Sequence, residues 1–454
     1  MSAVRAQVGH RVTNVSLLPF WVRSHYDSMD RLTALEYKKS ALETFAHVAF
    51  DYDEGSGLIT QKVTTISGQT VRESYRFDDL DRLEGEKRID GYGRVVYDLA
   101  YEYDAVGNRL AKHHRTGEGA GTNVTVSYQL ASGNNRLLGW SASSSNAFAD
   151  ARRFDVSGTS SEAIGTNDMF GYLYVSNATA GVAKPTVVGA SFTVQGFTVG
   201  SGEQQIVAAI RDAAGNMGYA TNTVTVRVTT NAAYGLNDAG CVTSIVYVGE
   251  GFTNRTMLTW DSQYRLTEVR TNGAVAEQAS YDSQGRRASL TSRTASNTLE
   301  TAYFVYDGQQ IVADLDTAGN KLRTYVWGPG IDNLLAMTVH TGASPVTYYP
   351  IKDHLGSVLA LVDATNAVVE SYAFDAWGRV LGIYDGQGAP LTRSALGNRY
   401  LWNGREYSWN SGLYHFRARA YDPLQGRWLS NDPIGISGGL NLWAYCQNDP
   451  VNGR

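Results

Sequence analysis

The stretch LAYEYDAVGNRLAKH, residues 99–113, decides how this sequence folds. Tyr101 and Tyr103 alternate with polar residues, which is the period of a β-strand with one buried face. Leu110 begins a second stretch after a short polar interval. Cross-strand pairs of aromatic and aliphatic side chains stabilise two such strands against each other. The stretch therefore predicts a β-hairpin.

The interval between the two strands has the composition of a tight turn. Asp104 can accept hydrogen bonds from backbone N–H groups at the start of this turn. Gly107 and Asn108 tolerate the positive φ that a tight hairpin requires. One hairpin alone is only marginally stable, so we expect it to be one unit of a larger sheet.

The same phrase recurs along the chain as an aromatic residue, Asp, a short turn and an apolar residue. Clear copies begin at Tyr26, Tyr52, Phe77, Tyr103, Trp260, Tyr281, Tyr306 and Phe374. Weaker copies begin at Leu236 and Leu315. Internal repeats of this kind stack into one continuous array. We interpret the repeated Asp residues as architectural, because no acid or base partner accompanies them.

The composition agrees with a β-protein. The chain of 454 residues holds 28 Tyr against 13 Phe and 9 Trp, and 47 Gly against 9 Pro. Tyr suits a half-buried pleated surface, and Gly suits the turns between strands. The net charge of -5 is spread over interspersed residues, without the basic stripe that marks nucleic-acid binding. We therefore expect no nucleic-acid partner.

The sequence indicates neither a cofactor nor a metal site. Cys241 and Cys446 are far apart, which excludes a disulfide scaffold and predicts two inert buried thiols. His113 and His114 lie in what we interpret as a polar turn region, where we expect them to be solvated rather than metal-bound. VSLLPFWV, near the N-terminus, is too short for a membrane span and lacks the charged start of a signal peptide.

Residues 33–50, TALEYKKSALETFAHVAF, are ambiguous between helix and strand. They include good helix formers, with apolar side chains at Leu35, Leu42, Phe45 and Val48. The segment nevertheless leads directly into a repeat unit. Its neighbours therefore favour a strand.

Residues 151–229 interrupt the repeats, because no aromatic-Asp phrase of the repeat type occurs there. Short alternating stretches separated by Gly, Asn and Pro are typical of an antiparallel β-sandwich. Residues 210–228, IRDAAGNMGYATNTVTVRV, resemble the last strands of bacterial immunoglobulin-like domains. We expect a compact sandwich whose two ends join the array near each other.

The C-terminal part carries four dense motifs. They are DHLGS at 353–357, FDAWGR at 374–379, GLYHFRARAYDPLQGRW at 412–428 and DPIGISGGLNLWAY at 432–445. Together with the upstream phrases, they resemble the RHS/YD-repeat family and its repeat-associated core region. The resemblance implies an all-β fold, in which a YD-repeat hairpin array winds into a spiral shell around a C-terminal toxin. It also implies that the core region is an intramolecular aspartyl protease.

The resemblance also selects site residues. Asp432 matches the first aspartate of the family's catalytic pair, and Arg419 matches its functional arginine, with Arg417 as second choice. In the family, four residues separate the proline of an Asn-x-Pro from the second aspartate. Residues 448–450 match that Asn-x-Pro, so the chain ends one residue before the second carboxylate. We expect this chain, as it stands, not to cleave itself.

These interpretations divide the chain into four parts. They are YD/RHS repeats over 1–150, the immunoglobulin-like insertion over 151–229, further repeats over 230–345 and a truncated repeat-associated core over 346–454. The favoured function is a fragment of an RHS-repeat protein whose shell carries a toxin or effector segment in cis. Its expected partners are that segment and a delivery or secretion apparatus, and its expected location is secreted or cell-surface by a route not visible in the chain.

Two other functions compete with this one. The first is a cell-surface or wall-associated binding protein whose insertion recognises a carbohydrate or a protein. The insertion contains no Trp, which favours a spacer instead. The second is an independent hydrolase, which is disfavoured because no Ser/His/Asp, Cys/His, metal or phosphate-loop constellation stands out. Asp353 and His354 resemble an acid–base pair. We interpret that pair as part of a hairpin turn, because no nucleophile accompanies it.

Overall fold

The computed structural model describes residues 5–7, 10–13, 18–91, 93, 95–115, 124–142, 153–159, 171–177, 181–183, 185–198, 202–212, 217–226, 229–249, 251–340, 342 and 344–453. Regular structure in these ranges consists of β-strands and a few short 3-10 turns. The expected all-β fold class is confirmed. No helix in the described ranges has the length and apolar character needed to cross a membrane.

The strands fall into four groups along the chain. The first group is β1 (Arg5–Gln7), β2 (His10–Thr13), β3 (Trp21–Tyr26), β4 (Leu32–Lys38), β5 (Thr44–Tyr52), β6 (Ile59–Ile66), β7 (Gln69–Phe77), β8 (Leu83–Ile89), β9 (Val95–Tyr103), β10 (Arg109–Arg115), β11 (Val124–Leu130) and β12 (Leu137–Ala142). The second group is β13 (Arg153–Thr159), β14 (Gly171–Asn177), β15 (Gly181–Ala183), β16 (Thr186–Val188), β17 (Ser191–Thr198), β18 (Gly202–Asp212) and β19 (Met217–Val226).

The remaining two groups complete the chain. The third is β20 (Thr229–Leu236), β21 (Val242–Gly249), β22 (Phe252–Trp260), β23 (Leu266–Thr271), β24 (Ala274–Tyr281), β25 (Arg287–Arg293), β26 (Leu299–Asp307), β27 (Gln310–Leu315), β28 (Lys321–Trp327), β29 (Leu334–Val339), β30 (Val346–Lys352), β31 (Val358–Val362), β32 (Val368–Phe374) and β33 (Val380–Asp385). The fourth is β34 (Glu406–Tyr407), β35 (Tyr414–Phe416), β36 (Arg419–Asp422) and β37 (Arg427–Trp428).

The first and third groups form one antiparallel sheet of 26 strands, which we call the ribbon. Each strand pairs with its neighbours in sequence, as β9 does with β8 and β10. β12 pairs directly with β20, so the ribbon continues across the second group. The ambiguous residues 33–50 form β4, β5 and the turn between them, which confirms the strand interpretation.

The aromatic-Asp phrase forms a hairpin turn, shown here by the copy at Tyr103. The Asp104 N–H donates to the Asn108 carbonyl at 2.9 Å. Asp104 Oδ1 accepts the N–H groups of Val106 at 3.0 Å and Asn108 at 2.8 Å. Gly107 has a φ of 82°, which lies in the left-handed region. A three-residue hairpin loop that leads into a β-bulge requires this conformation at its last position. The positive φ that we expect for Asn108 is not observed. Its side chain instead donates to Asp104 Oδ2 at 2.8 Å.

Consecutive repeats are joined by what we call the Arg–aromatic contact. Arg82 Nε donates to Asp78 Oδ2 at 2.7 Å, and its guanidinium lies 5.0 Å from the centroid of the Tyr103 ring in the next repeat. The Tyr103 hydroxyl donates back to the Leu83 carbonyl at 2.8 Å. The same arrangement recurs at Arg31 with Tyr52, Arg265 with Tyr281, and Arg286 with Tyr306. These Asp carboxylates are therefore occupied by turn N–H groups and arginines.

The turns of the clear copies lie along one edge of the ribbon, which we call the Asp-turn rim. They join β3 to β4, β5 to β6 and so on, up to β32 and β33. Because neighbouring strands run antiparallel, alternate connections fall on the same edge. The weak copy at Leu315 joins β27 to β28 and therefore lies on the opposite edge.

The second group of strands forms two small sheets outside the ribbon. One consists of β13, β17 and β16, and the other of β15, β14, β18 and β19. Buried side chains of both sheets share one hydrophobic cluster, consisting of Leu173, Val175, Phe192, Val194 and Ile206. β12 and β20 pair next to each other, so the segment leaves and rejoins the ribbon through adjacent strands. Its immunoglobulin-like identity and the exact domain boundaries stay predictions.

Residues 386–453, which we call the C-terminal block, pack against the Asp-turn rim. Their core is an aromatic cluster in which the Trp402 and Tyr421 rings stack at 5.5 Å. The Tyr421 hydroxyl donates to the Trp377 carbonyl at 2.9 Å, within one rim turn. Asn441 Nδ2 donates to Asn108 Oδ1 at 3.0 Å, within another. Further hydrogen bonds from the block reach rim residues Gly107, Asn135, Ala239 and Gly378.

Candidate functional site

Asp432 and Arg419 meet within the C-terminal block. Arg419 begins β36, and Asp432 opens the loop that leads into the 3-10 turn Gly435–Gly438. Arg419 Nη1 lies 3.0 Å from Asp432 Oδ2, and each side chain is 18% exposed. The structure thus brings together the two residues that the resemblance selects. Their catalytic roles stay predictions.

Both side chains are held by further contacts. Asp432 Oδ1 accepts the Ile434 N–H at 3.1 Å, which fixes the carboxylate against its own loop. The Arg419 guanidinium lies 3.9 Å from the centroid of the Trp428 ring, a cation–π contact. Burial lowers the pKa of Arg419, and the Asp432 charge opposes that shift. The contact with Ile434 therefore holds Asp432 in position, and the contact with Trp428 holds Arg419.

Arg417, the second candidate arginine, forms an ion pair with a different carboxylate, that of Asp332. Its Nη2 lies 2.6 Å from Asp332 Oδ1, and Arg405 Nη1 lies 2.8 Å from Asp332 Oδ2. Arg417 also has a φ of 55°, the left-handed conformation. Of the two arginines, Arg419 is the one that contacts Asp432.

Asp432 and Arg419 line a cavity of about 890 Å³ between the C-terminal block and the rim. Trp428 contributes to the block wall, whereas Leu80 and Val106 contribute from two rim turns. Among the described residues that line this cavity, Asp432 is the only carboxylate. Aspartyl proteolysis needs two carboxylates that share a proton, one as base and one as acid. The described residues of this cavity thus supply one half of such a pair.

Asp449 does not supply the other half. Its Oδ1 accepts the N–H groups of Val451 at 3.2 Å and Asn452 at 3.0 Å, so it closes a turn. Burial raises the pKa of Asp449. Asn452 Oδ1 in turn accepts the Ile59 N–H at 2.9 Å, which ties this turn to β6. Asp449 is therefore a turn residue, as its place in the sequence motif suggests.

The segment before Asp449 is strained. Cys446, Gln447 and Asn448 have φ values of 41°, 53° and 70°, all in the left-handed region. Each non-glycine residue there costs roughly 1–2 kcal/mol, so packing must hold the segment in place. Asn448 Nδ2 donates to the Gly107 carbonyl of the rim at 2.8 Å, which is one such restraint.

Asp353 and His354 lie in a hairpin turn, as interpreted from the sequence. Asp353 Oδ1 accepts the N–H groups of Leu355 at 3.1 Å and Ser357 at 2.9 Å. His354 Nε2 lies 2.8 Å from the Val451 carbonyl oxygen, and burial lowers the pKa of His354. The pair therefore joins the rim to the end of the C-terminal block.

Among the described residues, neither the cysteines nor the histidines form a metal or thiolate centre. Burial raises the pKa of the Cys446 thiol to about 11, so it stays protonated at neutral pH. The described residues contain no group of three or more His, Cys, Asp or Glu side chains arranged to hold a metal ion. The expectation that His114 is solvated is wrong, because it lies in β10 and is 7% exposed.

Sequence reasoning did not find the other walls of the cavity. Trp428 ends the motif at 412–428, and nothing in the sequence pairs it with Arg419. Leu80 and Val106 are more than 300 residues away from Asp432 along the chain. The one available signal was their shared place two residues after the Asp of their turns.

Comparisons with known proteins find relatives that include toxins. The chain is 30% identical to tRNA nuclease WapA of Bacillus subtilis over 201 residues, which are 42% of this chain and 8% of that protein. It is 29% identical to double-stranded DNA deaminase toxin A of Burkholderia cenocepacia over 212 residues, 42% of this chain and 14% of that protein. It is 24% identical to toxin subunit YenC1 of Yersinia entomophaga over 422 residues, 86% of this chain and 40% of that protein.

The chain is thus related in sequence to toxin proteins and spans less than half the length of each relative named. No family model matches it. Among solved structures, the crystal structure of TcdB2-TccC3-Cdc42 aligns with 95% of this chain and 21% of that chain, at 16% identity and a TM-score of 0.35.

Proposed function

We propose that this chain is the wall and core region of an RHS-type protein, whose β-shell encloses and carries a C-terminal toxin or effector segment. The observation that carries the proposal is the C-terminal block bonded to the Asp-turn rim, with Asp432 and Arg419 facing a cavity of about 890 Å³. In this proposal the ribbon is shell wall and the block is its plug. The sequence relation to a toxin subunit over 86% of the chain supports it.

The core region would contribute to aspartyl autoprocessing. Asp432 would act as one carboxylate, and Arg419 would hold it in position. The second carboxylate would come from an Asp-Pro-x-Gly segment after Arg454, because the cavity's described residues offer no other carboxylate. Release of the toxin segment inside the shell, secretion to the cell exterior and a delivery apparatus as partner belong to the same proposal.

The test uses a chain extended past Arg454 by an Asp-Pro-x-Gly segment and a small folded tag. Intact mass is followed over time. We expect the extended chain to release the tag and the 454-residue chain to stay intact. Asp432→Asn should slow release by roughly 10²–10⁴-fold, since an amide cannot accept the proton of the attacking water.

The variants separate a catalytic from a structural effect. Arg419→Ala should slow release while leaving the thermal midpoint close to that of the parent. Asp316→Asn removes a turn carboxylate on the opposite edge of the ribbon, and it should cleave normally. Release by the unextended chain, or undiminished release by Asp432→Asn, would overturn the assignment.

A further inference from the structure

Three charged side chains from distant parts of the chain meet in the interior of the molecule. Lys62 and Glu73 lie opposite each other on β6 and β7, and Asp353 opens the turn between β30 and β31. Lys62 Nζ lies 3.0 Å from Glu73 Oε2 and 3.6 Å from Asp353 Oδ2. The side chains of Lys62, Glu73 and Asp353 are 13%, 5% and 5% exposed. An amine and a carboxyl group are thus held side by side, with a second carboxylate next to the amine.

Asp353 differs from the aspartates of the repeat turns in the cation that it contacts. At Asp78 and Asp261, an arginine four residues later in the same turn pairs with the carboxylate. The fourth residue after Asp353 is Ser357. The cation beside Asp353 Oδ2 comes instead from Lys62, on a strand of the first group. This turn therefore joins two distant parts of the ribbon through a contact between a lysine and an aspartate.

The two carboxyl oxygens of Asp353 lie in different environments. Oδ1 accepts the N–H groups of Leu355 at 3.1 Å and Ser357 at 2.9 Å. Oδ2 faces the amine of Lys62. Two backbone donors at these distances stabilise the negative charge that forms on a carbonyl oxygen when a nucleophile adds to its carbon. Oδ1 is therefore placed to carry that charge, and Oδ2 is placed to leave.

Glu73 is placed to move protons. Burial lowers the pKa of Lys62, but the charges beside it, that of Glu73 first, outweigh burial and raise the pKa overall. The amine therefore starts as an ammonium group and needs a base before it can act as a nucleophile. Glu73 Oε2 is that base by position, and Glu73 Oε1 accepts Arg88 Nη1 at 2.8 Å, which holds the carboxylate in place.

The surroundings of the three groups favour condensation. Tyr75, which follows Glu73 on the same face of β7, is 6% exposed, and Phe50 packs edge-on against the His354 ring at 4.7 Å. A buried ion pair keeps a desolvation cost that a neutral amide does not carry. Reacting groups that the fold holds in contact also reach effective concentrations of roughly 10⁵–10⁸ M when they are well oriented.

We propose that Lys62 and Asp353 condense into an isopeptide bond, with Glu73 as the proton carrier. Lys62 Nζ attacks Asp353 Cγ, so the Nζ–Cγ bond forms and the Cγ–Oδ2 bond breaks. The ammonium group loses two protons, which Glu73 passes to Oδ2, and Oδ2 leaves as one water molecule. Atoms and charges balance without a further reactant. The product is a covalent link between β6 and the rim turn that follows β30, and Glu73 stays paired with Arg88.

Intact-mass spectrometry of the denatured 454-residue chain tests this bond. We expect a mass lower than that of the linear chain by one water molecule, and a branched peptide that joins Lys62 to Asp353 after proteolysis. Lys62→Arg keeps the positive charge but has no amine, so it should show the full linear mass and an unchanged circular dichroism spectrum. The full linear mass in the parent chain would overturn the proposal, and so would the same loss of water in Lys62→Arg.

Further variants test the chemistry. Asp353→Asn keeps a carbonyl oxygen in the turn, and it should lose one ammonia molecule instead of water because the amide nitrogen becomes the leaving group. Glu73→Gln should slow accumulation of the lighter species after synthesis by roughly 10²–10⁴-fold. The matched control is Lys39→Arg, which changes a lysine paired with Glu43 in an exposed turn and should keep the loss of water. Loss of water from Asp353→Asn, or undiminished accumulation in Glu73→Gln, would overturn the roles given to these residues.

Discussion

At the scale of single residues, the fourth residue of each repeat turn, counted from the Asp, determines how much backbone strain the turn carries. Gly107 and Gly285 occupy it with φ values near 80°, where glycine carries no steric penalty. Tyr264 occupies the same position in its turn with a φ of 61°, although its side chain is 54% exposed. The Tyr264 backbone therefore carries strain that burial of the ring does not offset.

Replacing Tyr264 by Gly should stabilise the protein. We expect Tyr264→Gly to raise the free energy of unfolding by roughly 0.5–1 kcal/mol, because relief of left-handed strain exceeds the entropy cost of glycine. Gly285→Ala, the reverse change at the equivalent position, should lower it by a similar amount. Thermal midpoints measure both. Tyr303→Gly, which removes a tyrosine of similar exposure from a strand, is the control, and a matching loss from Tyr264→Gly would contradict the prediction.

The sequence predicts the role of a residue where that role depends on interactions with residues nearby in the chain. Asp104 and Gly107 could be assigned to a turn because their roles depend on neighbours within four residues. The contact of Arg419 with Trp428 could not be assigned, because hydrophobic and charge patterns do not say which ring a guanidinium will cover. The polar neighbours of His114 suggest a solvated ring, whereas strand β10 places the ring in the interior.

At the scale of elements, the Arg–aromatic contact makes each hairpin depend on the next. The Tyr281 hydroxyl donates to the Leu266 carbonyl at 2.7 Å, so an aromatic of one repeat closes the strand of the preceding one. Order along the ribbon could be predicted, because adjacent strands joined by tight turns must pair. How far the ribbon curves could not be predicted, since it depends on twist summed over many strands.

Pairing of β12 with β20 predicts that the inserted segment is dispensable for the ribbon. We expect replacement of residues 143–228 by a short Gly-Ser linker to leave a soluble β-protein, with a thermal midpoint within a few degrees of the parent. The reason is that Ser141 already lies opposite Asn231. Circular dichroism and size-exclusion chromatography measure the outcome.

A backbone change at the junction provides the control for that deletion. Ser141→Pro removes a ladder donor from an exposed position and should lower the midpoint clearly in the shortened chain. Aggregation of the shortened chain before this change is made would show that the ribbon needs the insertion.

At the scale of the whole molecule, the early strands pack against the late ones in two apolar clusters, and a titratable side chain lies at this contact. Glu86 is 2% exposed and accepts the Ala376 N–H at 2.9 Å across 290 residues of sequence. Tyr101 and Tyr97 donate their hydroxyls to the same carboxyl group, at 2.6 and 3.1 Å. Burial, and then the nearby Asp375 charge, raise the pKa of Glu86 from 4.5 to about 7, although Lys112 opposes the shift.

The raised pKa of Glu86 predicts greater stability in mild acid. The folded state holds a proton on Glu86 that the unfolded state loses, so this contribution is complete below pH 4.5 and is lost as pH rises through about 7. We expect a loss of roughly 2–3 kcal/mol across that interval. Urea midpoints at several pH values measure it.

A comparison of two variants isolates the contribution of Glu86 to the pH dependence of stability. Glu86→Gln should flatten the pH dependence between pH 4.5 and 7, while Glu84→Gln, an exposed neighbour, should leave it unchanged. Parallel curves for the parent and Glu86→Gln would show that another group is responsible.

The sequential pairing of the ribbon and the bonding of the C-terminal block to separate turns together give the molecule a mechanical direction. Tension applied at β3 would open one strand ladder after another, and it would also pull Tyr37 from the apolar cluster that it shares with Ile351 and Val362. Tension applied at Asn452 would load its bond to Ile59, the Val451 contact with His354 and the Asn448 bond to Gly107 at once. Bonds that are loaded in parallel must break together, so these three contacts would resist extraction of the chain from that end.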